Sequence, residues 1–234
     1  MMTHLVLLHG WGASERIWQR QMDAFREKCT ILSPRISQWD ASWLNEYLTR
    51  LPLKNSVLVG WSLGGMLLLE ALSQFALPAP AATVLVGVPA VFCRRPDHPF
   101  GQPPALVRAM RLGLKRGQHR VLTDFLASCL APGEEAFREE AAAGFDIKAG
   151  QAHLAQGLDY LKEKDLRELL PHVSAKVVIV QGEKDGIVEP AQAQFLQEQI
   201  ANASLQILPG AGHLPFLSQA EAFNGILRKL LLDL

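Results

Sequence analysis

The chain has 234 residues, 49% hydrophobic and 20% charged, enough to bury one sizeable core and too apolar for a disordered polymer. Its 23 basic and 23 acidic residues cancel, which excludes a general electrostatic attraction to nucleic acid or to a membrane surface. Three cysteines, Cys29, Cys93 and Cys129, show no C-x-x-C spacing, so neither a disulfide framework nor a zinc site is expected.

The N-terminus enters an apolar run at 5–8 almost at once, without a basic leader segment. No stretch approaches the roughly 20 apolar residues that a transmembrane helix needs. A cytoplasmic monomer with reduced thiols is the expectation. Further apolar runs lie at 30–32, 57–59, 83–86, 177–180 and 205–208. Runs of Val, Ile and Leu without polar alternation predict strands buried on both faces of a mainly parallel sheet. Helical patterns fill the intervals over 15–28, 41–51, 63–75, 190–201 and 220–232. Such alternation predicts an α/β layered domain.

Directly after the first predicted strand comes His9-Gly10-Trp11-Gly12. The His9 side chain is expected to fix this loop, with the Trp11 backbone N–H presented as an oxyanion donor; the Trp11 ring also suits a core aromatic. After the third strand, Gly60-Trp61-Ser62-Leu63-Gly64 stands between an apolar run and an apolar helix. This strand–G-x-S-x-G–helix arrangement predicts a nucleophile elbow, with Ser62 at the tip of a sharp turn and the Leu63 N–H as second oxyanion donor. Glycine on either side relieves the crowding that a side chain would cause there.

The strand–helix rhythm stops between 91 and 157. Four prolines, Pro96, Pro99, Pro103 and Pro104, mark an irregular entry, and Val121, Leu122, Phe125, Leu126, Cys129 and Leu130 then share a helical face. A helical lid over 91–157 is therefore predicted, inserted in a core formed by 1–90 and 158–234. It would cover the C-terminal edge of the sheet, where open α/β folds bind ligands. Positions 94 to 120 hold seven basic residues against one acid, Asp97, for a net charge of +6. Arg108, Arg111 and Lys115 have the spacing of one helix face, as do Arg116 and Arg120. A run of this kind suits either a solvated face or a docking surface for an acidic partner. No aromatic residue interleaves 108–120, which argues against a base-stacking platform for nucleic acid.

An activated serine needs a base and a group to orient it. Asp185 follows the fifth strand within Gly182-Glu183-Lys184-Asp185-Gly186, and His213 follows the sixth within Gly210-Ala211-Gly212-His213-Leu214-Pro215-Phe216. The chain order Ser, Asp, His is that of an α/β-hydrolase triad. Glu183 is the alternative acid and is expected to face solvent. His4, His98, His119, His153 and His172 lack a glycine-flanked setting at a strand end and read as surface or structural residues. Acyl transfer through Ser62 calls for no cofactor and no metal.

Together these motifs resemble the pimeloyl-acyl-carrier-protein methyl esterases of biotin synthesis, an α/β-hydrolase family, over nearly the whole chain. The residues that carry the likeness are His9 to Gly12, Gly60 to Gly65, Asp185-Gly186-Ile187-Val188, His213 to Phe216, and Asp165-Leu166-Arg167 beyond the lid. The resemblance implies an α/β-hydrolase fold with a helical lid, and hydrolysis of the methyl ester of a pimeloyl chain carried on acyl-carrier protein. It implies acyl contacts at Trp11, Ser62, Leu63 and His213, and a channel lined by Phe125, Leu126, Ala127, Ser128 and Cys129; by periodicity alone, that segment equally suits a helix face packed on the sheet. Carrier docking would fall to Arg108, Arg111 and Arg120. The chain departs from the family where Asp124 replaces an arginine and where 134–140 holds Arg138 as its sole base. A short-chain esterase, a carbon–carbon bond hydrolase and a non-catalytic receptor of the same fold remain alternatives.

Overall fold

Six parallel strands form the centre of the computed structural model, which describes residues 3–232 and 234. They are β1 (His4–Leu8), β2 (Thr30–Leu32), β3 (Ser56–Trp61), β4 (Ala82–Val86), β5 (Val177–Gly182) and β6 (Ala203–Leu208), in the order β2-β1-β3-β4-β5-β6. This is the α/β layered architecture expected from the alternating pattern. Residues of β3, β4 and β5 are buried throughout, as their unbroken apolar runs require. Each such Val, Leu or Ile contributes about 1.5–3 kcal/mol by leaving water. The outer strands differ from expectation. All three residues of β2 are half-buried, and β6 exposes Ser204, Gln206 and Ile207, because an edge strand is covered by one neighbour only.

The register decides where function can gather. Leu8 pairs with Gly60, Trp61 with Val86, Val86 with Val180, and Gly182 with Leu208. Five strands therefore end level, and the loops that follow them open on one edge of the sheet. Helices α1 (Gln19–Phe25), α2 (Ala41–Leu48), α3 (Leu63–Gln74), α7 (Pro190–Gln199), α8 (Pro215–Ser218) and α9 (Ala220–Leu232) complete the core. The helix predicted from 15 opens instead as a 3₁₀ turn, Glu15–Trp18, before α1. In α2, the Asp40 side chain accepts the amides of Ser42 and Trp43, satisfying donors that the first turn leaves free.

Between β4 and β5 stand α4 (Pro104–Cys129), α5 (Arg138–Gly144) and α6 (Gln151–Glu163). Proline at the start of α4 needs no amide partner there. Gly117 has non-helical φ/ψ of −177° and 79°, which breaks α4 into two limbs. The lid end expected at 157 falls inside α6, so the helical segment runs on to Glu163. Val91 bridges Asp165, so the insertion leaves and rejoins the core at one place. Among the described residues, no helix is long and apolar enough to cross a membrane.

Candidate active site

Ser62 sits between the end of β3 and the start of α3 with φ 52° and ψ −122°, the one non-glycine residue with positive φ among those described. Such a conformation costs of order 1–3 kcal/mol and persists only where the surroundings enforce it. The enforcement is visible here. The Ser62 amide donates to the Val86 carbonyl at 2.9 Å, and the Ser62 carbonyl accepts the amides of Gly65 and Met66 at 3.0 Å. A Cβ at Gly60 would lie 2.5 Å from the Gly65 Cα, and one at Gly64 would collide with the His9 carbonyl oxygen. The two glycines of the elbow are thus required by close approach of backbone to backbone.

The loop after β1 lies against this turn. A Cβ at Gly10 would be 3.1 Å from the Ser62 Cβ and 2.9 Å from the Trp61 ring. Burial pushes the pKa of His9 down from 6.5 to about 4, against the raising effect of its contact with the Gly10 carbonyl. The neutral ring places Nδ1 3.0 Å from that carbonyl, while Nε2 accepts the Ile36 amide at 3.3 Å. Nδ1 therefore carries the proton. His9 fixes the loop, as expected. The indole of Trp11 is buried, donates to the Leu154 carbonyl at 2.8 Å and packs edge-on against Phe125. Leu63 is the first residue of α3, where amides have no partner within the helix and the helix dipole favours negative charge.

Asp185 and His213 meet across two loops. Nδ1 of His213 lies 2.7 Å from Oδ2 of Asp185, with both side chains fully buried. The other carboxylate oxygen accepts the amides of Ile187 and Val188 at 2.8 and 2.9 Å. Gln181, which ends the apolar run of β5, donates from Nε2 to Asp185 Oδ2 at 3.0 Å and to the Val188 carbonyl at 2.9 Å. Glu183, the alternative acid, instead accepts the Gly210 amide at the surface. Trp61, adjacent to Ser62, joins the two halves. Its indole N–H donates to the His213 carbonyl at 2.9 Å, and the two rings lie 5.4 Å apart. His213 Nε2 is buried without a hydrogen-bond partner among the described residues, and Ser62 is only 4% exposed. A single relay bonded from end to end is thus not what the structure holds; hydrogen bonds of this kind often close only around substrate.

Gly87, immediately after β4, was not singled out by the motifs. It has φ +54°, and a Cβ there would lie 2.9 Å from His213 Nδ1 and 3.2 Å from Asp185 Oδ2. A glycine directly after a buried apolar run was its available signal.

The lid residues separate by face. Phe125 and Ser128 line a cavity of about 270 Å³ with Phe92, Met110, Val121 and Ile187. Leu126 and Cys129 turn into the core, and Ala127 is half-buried. Burial pushes the Cys129 thiol well above its ordinary pKa. Of the three arginines, Arg108 is exposed, Arg120 stands 3.6 Å from Asp124 at the surface, and Arg111 is bound to Asp159 of α6 at 3.1 Å. The break at Gly117 separates Arg111 from Arg120.

A family model described as "Alpha/beta hydrolase family" matches residues 5–226. A pimeloyl-[acyl-carrier protein] methyl ester esterase of Nitrosomonas europaea is 31% identical, covering 94% of this chain and 92% of its own. Another of that name, from Pectobacterium carotovorum, is also 31% identical, covering 95% and 91%. Among solved structures, an esterase from Exiguobacterium antarcticum superposes with TM-score 0.85 at 25% identity, covering 98% of this chain and 91% of its own. A bromoperoxidase from Bacillus anthracis superposes at 0.83 with 24% identity, covering 99% and 92%, and speaks to the fold alone.

Proposed function

Because this chain belongs to the alpha/beta hydrolase family, we propose that it is a serine carboxylesterase that removes the methyl ester of pimeloyl-acyl-carrier protein. The observation that carries this reading is the strained Ser62 directly after Trp61, whose indole holds the carbonyl of a buried histidine with Nδ1 bound to a carboxylate and Nε2 without a hydrogen-bond partner among the described residues. The similarity to esterases named for that substrate supports the choice of ester.

The chemistry follows from the atoms available. Ser62 Oγ attacks the ester carbonyl while its proton passes to His213 Nε2. Asp185 keeps Nδ1 protonated and stabilises the imidazolium, and the Trp11 and Leu63 amides receive the oxyanion. As the tetrahedral species collapses, the carbon–methoxy bond breaks, and methanol leaves with the proton returned by His213. Water, losing a proton to the same nitrogen, then attacks the acyl-enzyme. The free ω-carboxylate departs and Ser62 recovers its proton. The cavity beside Phe125 and Ser128 would hold the acyl chain, with Arg108 and Arg120 of α4 turned toward an acidic carrier protein; Arg111, bound to Asp159 of α6, is left out of that docking set.

The test is genetic. The chain should restore biotin-independent growth to a cell lacking its own pimeloyl methyl esterase, and Ser62→Ala should not, since triad knockouts lose up to about 10⁶ in turnover. Growth restored equally by folded Ser62→Ala would sink the mechanism. No growth from the wild type, together with hydrolysis of short free esters, would favour a second reading as a small-ester carboxylesterase, which the likeness to the Exiguobacterium enzyme supports.

A further inference from the structure

We infer that Glu134, in the turn between α4 and α5, is a positioning residue for the base, an inference that rests on the serine-esterase reading above. Its side chain is almost fully buried, at 6% exposure. Oε2 accepts the Ala131 amide at 2.8 Å, and both carboxylate oxygens lie 3.1 Å from the amide nitrogen of Gly212. The following amide, that of His213 itself, donates to the carbonyl of Cys129 at 2.8 Å. Two successive amides of the base loop thus end on the lid.

The seat is close-fitting. A Cβ at Gly212 would lie 2.7 Å from the Ala131 nitrogen, the Cys129 oxygen and Glu134 Oε2. Burying a carboxylate is expensive unless strong donors replace water, and charge-assisted amide bonds are about twice as strong as neutral ones. Here one carboxylate closes the lid turn and grips the base loop together. The residue that bears the imidazole is then held at its amide by Cys129, at its carbonyl by Trp61 and at its ring by Asp185. With Glu134 removed, the Gly212 amide loses its acceptor and the loop is free to shift. Nε2, which has no hydrogen-bond partner of its own among the described residues, moves with it relative to Ser62.

Glu134→Ala and Glu134→Gln separate this role from mere support. Glutamine keeps one oxygen that can face the two amides. Two readouts apply: kcat and KM for a short aryl ester, and the low-field proton resonance of His213 Nδ1–H bonded to Asp185. A shift of about 1 Å in a catalytic group costs on the order of 100-fold, so Glu134→Ala should lose about that in kcat with KM within about twofold. Loss of one charged acceptor predicts a drop of about tenfold in Glu134→Gln. The imidazole resonance should broaden or move in Glu134→Ala. Wild-type kcat together with an unmoved resonance in a folded Glu134→Ala overturns the inference. Should that variant not fold, Glu134→Gln decides: a kcat reduced at unchanged melting temperature supports positioning, and an unchanged kcat overturns it. The resonance decides positioning even in a wild type that turns over no ester, an outcome that would instead defeat the esterase reading.

Discussion

Asp185 spends every oxygen lone pair within reach: two amides on Oδ1, and Gln181 and His213 on Oδ2. Asparagine would fit the same space but would present an amide N–H to one of these donors. If the flipped amide faced His213, Nδ1 would have to accept and Nε2 would carry the proton, the wrong tautomer for a base. Asp185→Asn should therefore lower kcat by about 10⁴-fold with little change in fold, read as kcat beside a melting curve. A loss below about tenfold would remove Asp185 from the mechanism. Gly87 tests the same pair from the other side. Its left-handed φ and the 2.9 Å approach to His213 Nδ1 leave no room for a methyl group. Gly87→Ala should cost stability and should lose kcat beyond what the fall in melting temperature explains. Full activity in that variant would mean the imidazole is not held where the geometry puts it.

At the scale of elements, the lid divides its cations between structure and surface. Arg111 bonds Asp159 through Nε and so ties the first limb of α4 to α6. Both partners are part-exposed, and such pairs contribute less than about 1 kcal/mol. Arg108 and Arg120 are exposed, on opposite sides of the break at Gly117. Reversing the charge at Arg108 and Arg120 should raise KM for a carrier-linked ester several-fold and leave a short free ester unaffected. Arg111→Glu should harm both substrates alike, through the lid. Equal effects of the surface pair on both substrates would reject docking on α4.

The same elements show what could be read in advance. The four inner strands were legible because buried parallel strands need unbroken apolar runs, and the elbow because only glycine fits its two crowded positions. The partial exposure of β2 and β6 was not legible, since strand order is set by non-local pairing. The faces of Phe125 and Cys129 were not, because helical periodicity gives a stripe without saying what it meets. Glu134 was hidden for the opposite reason. It stands in an acidic run that reads as surface, and its burial depends on a loop nearly eighty residues later in the chain.

For the whole molecule, the buried His9 links folding to pH. Burial is the largest influence on its pKa and lowers it. The Gly10 contact raises it, His153 lowers it, and Glu15 and Asp146 raise it slightly, leaving about 4 in the folded protein against 6.5 unfolded. Between those values the unfolded chain binds the proton and the native chain does not, so stability rises with pH across that window. The contribution is fully present above 6.5 and is lost as pH falls toward about 4. At 1.36 kcal/mol per pKa unit, roughly 2 kcal/mol of unfolding free energy should disappear between pH 7 and pH 4.5 through His9 alone. His9→Asn does not titrate, so its stability should fall less steeply over the same range, although it starts lower at pH 7 for want of the imidazole's bonds to Gly10 and Ile36. Urea unfolding of both proteins at the two pH values measures the difference. Parallel pH slopes would mean that the ring between β1 and the elbow is protonated, or solvated, in the folded state.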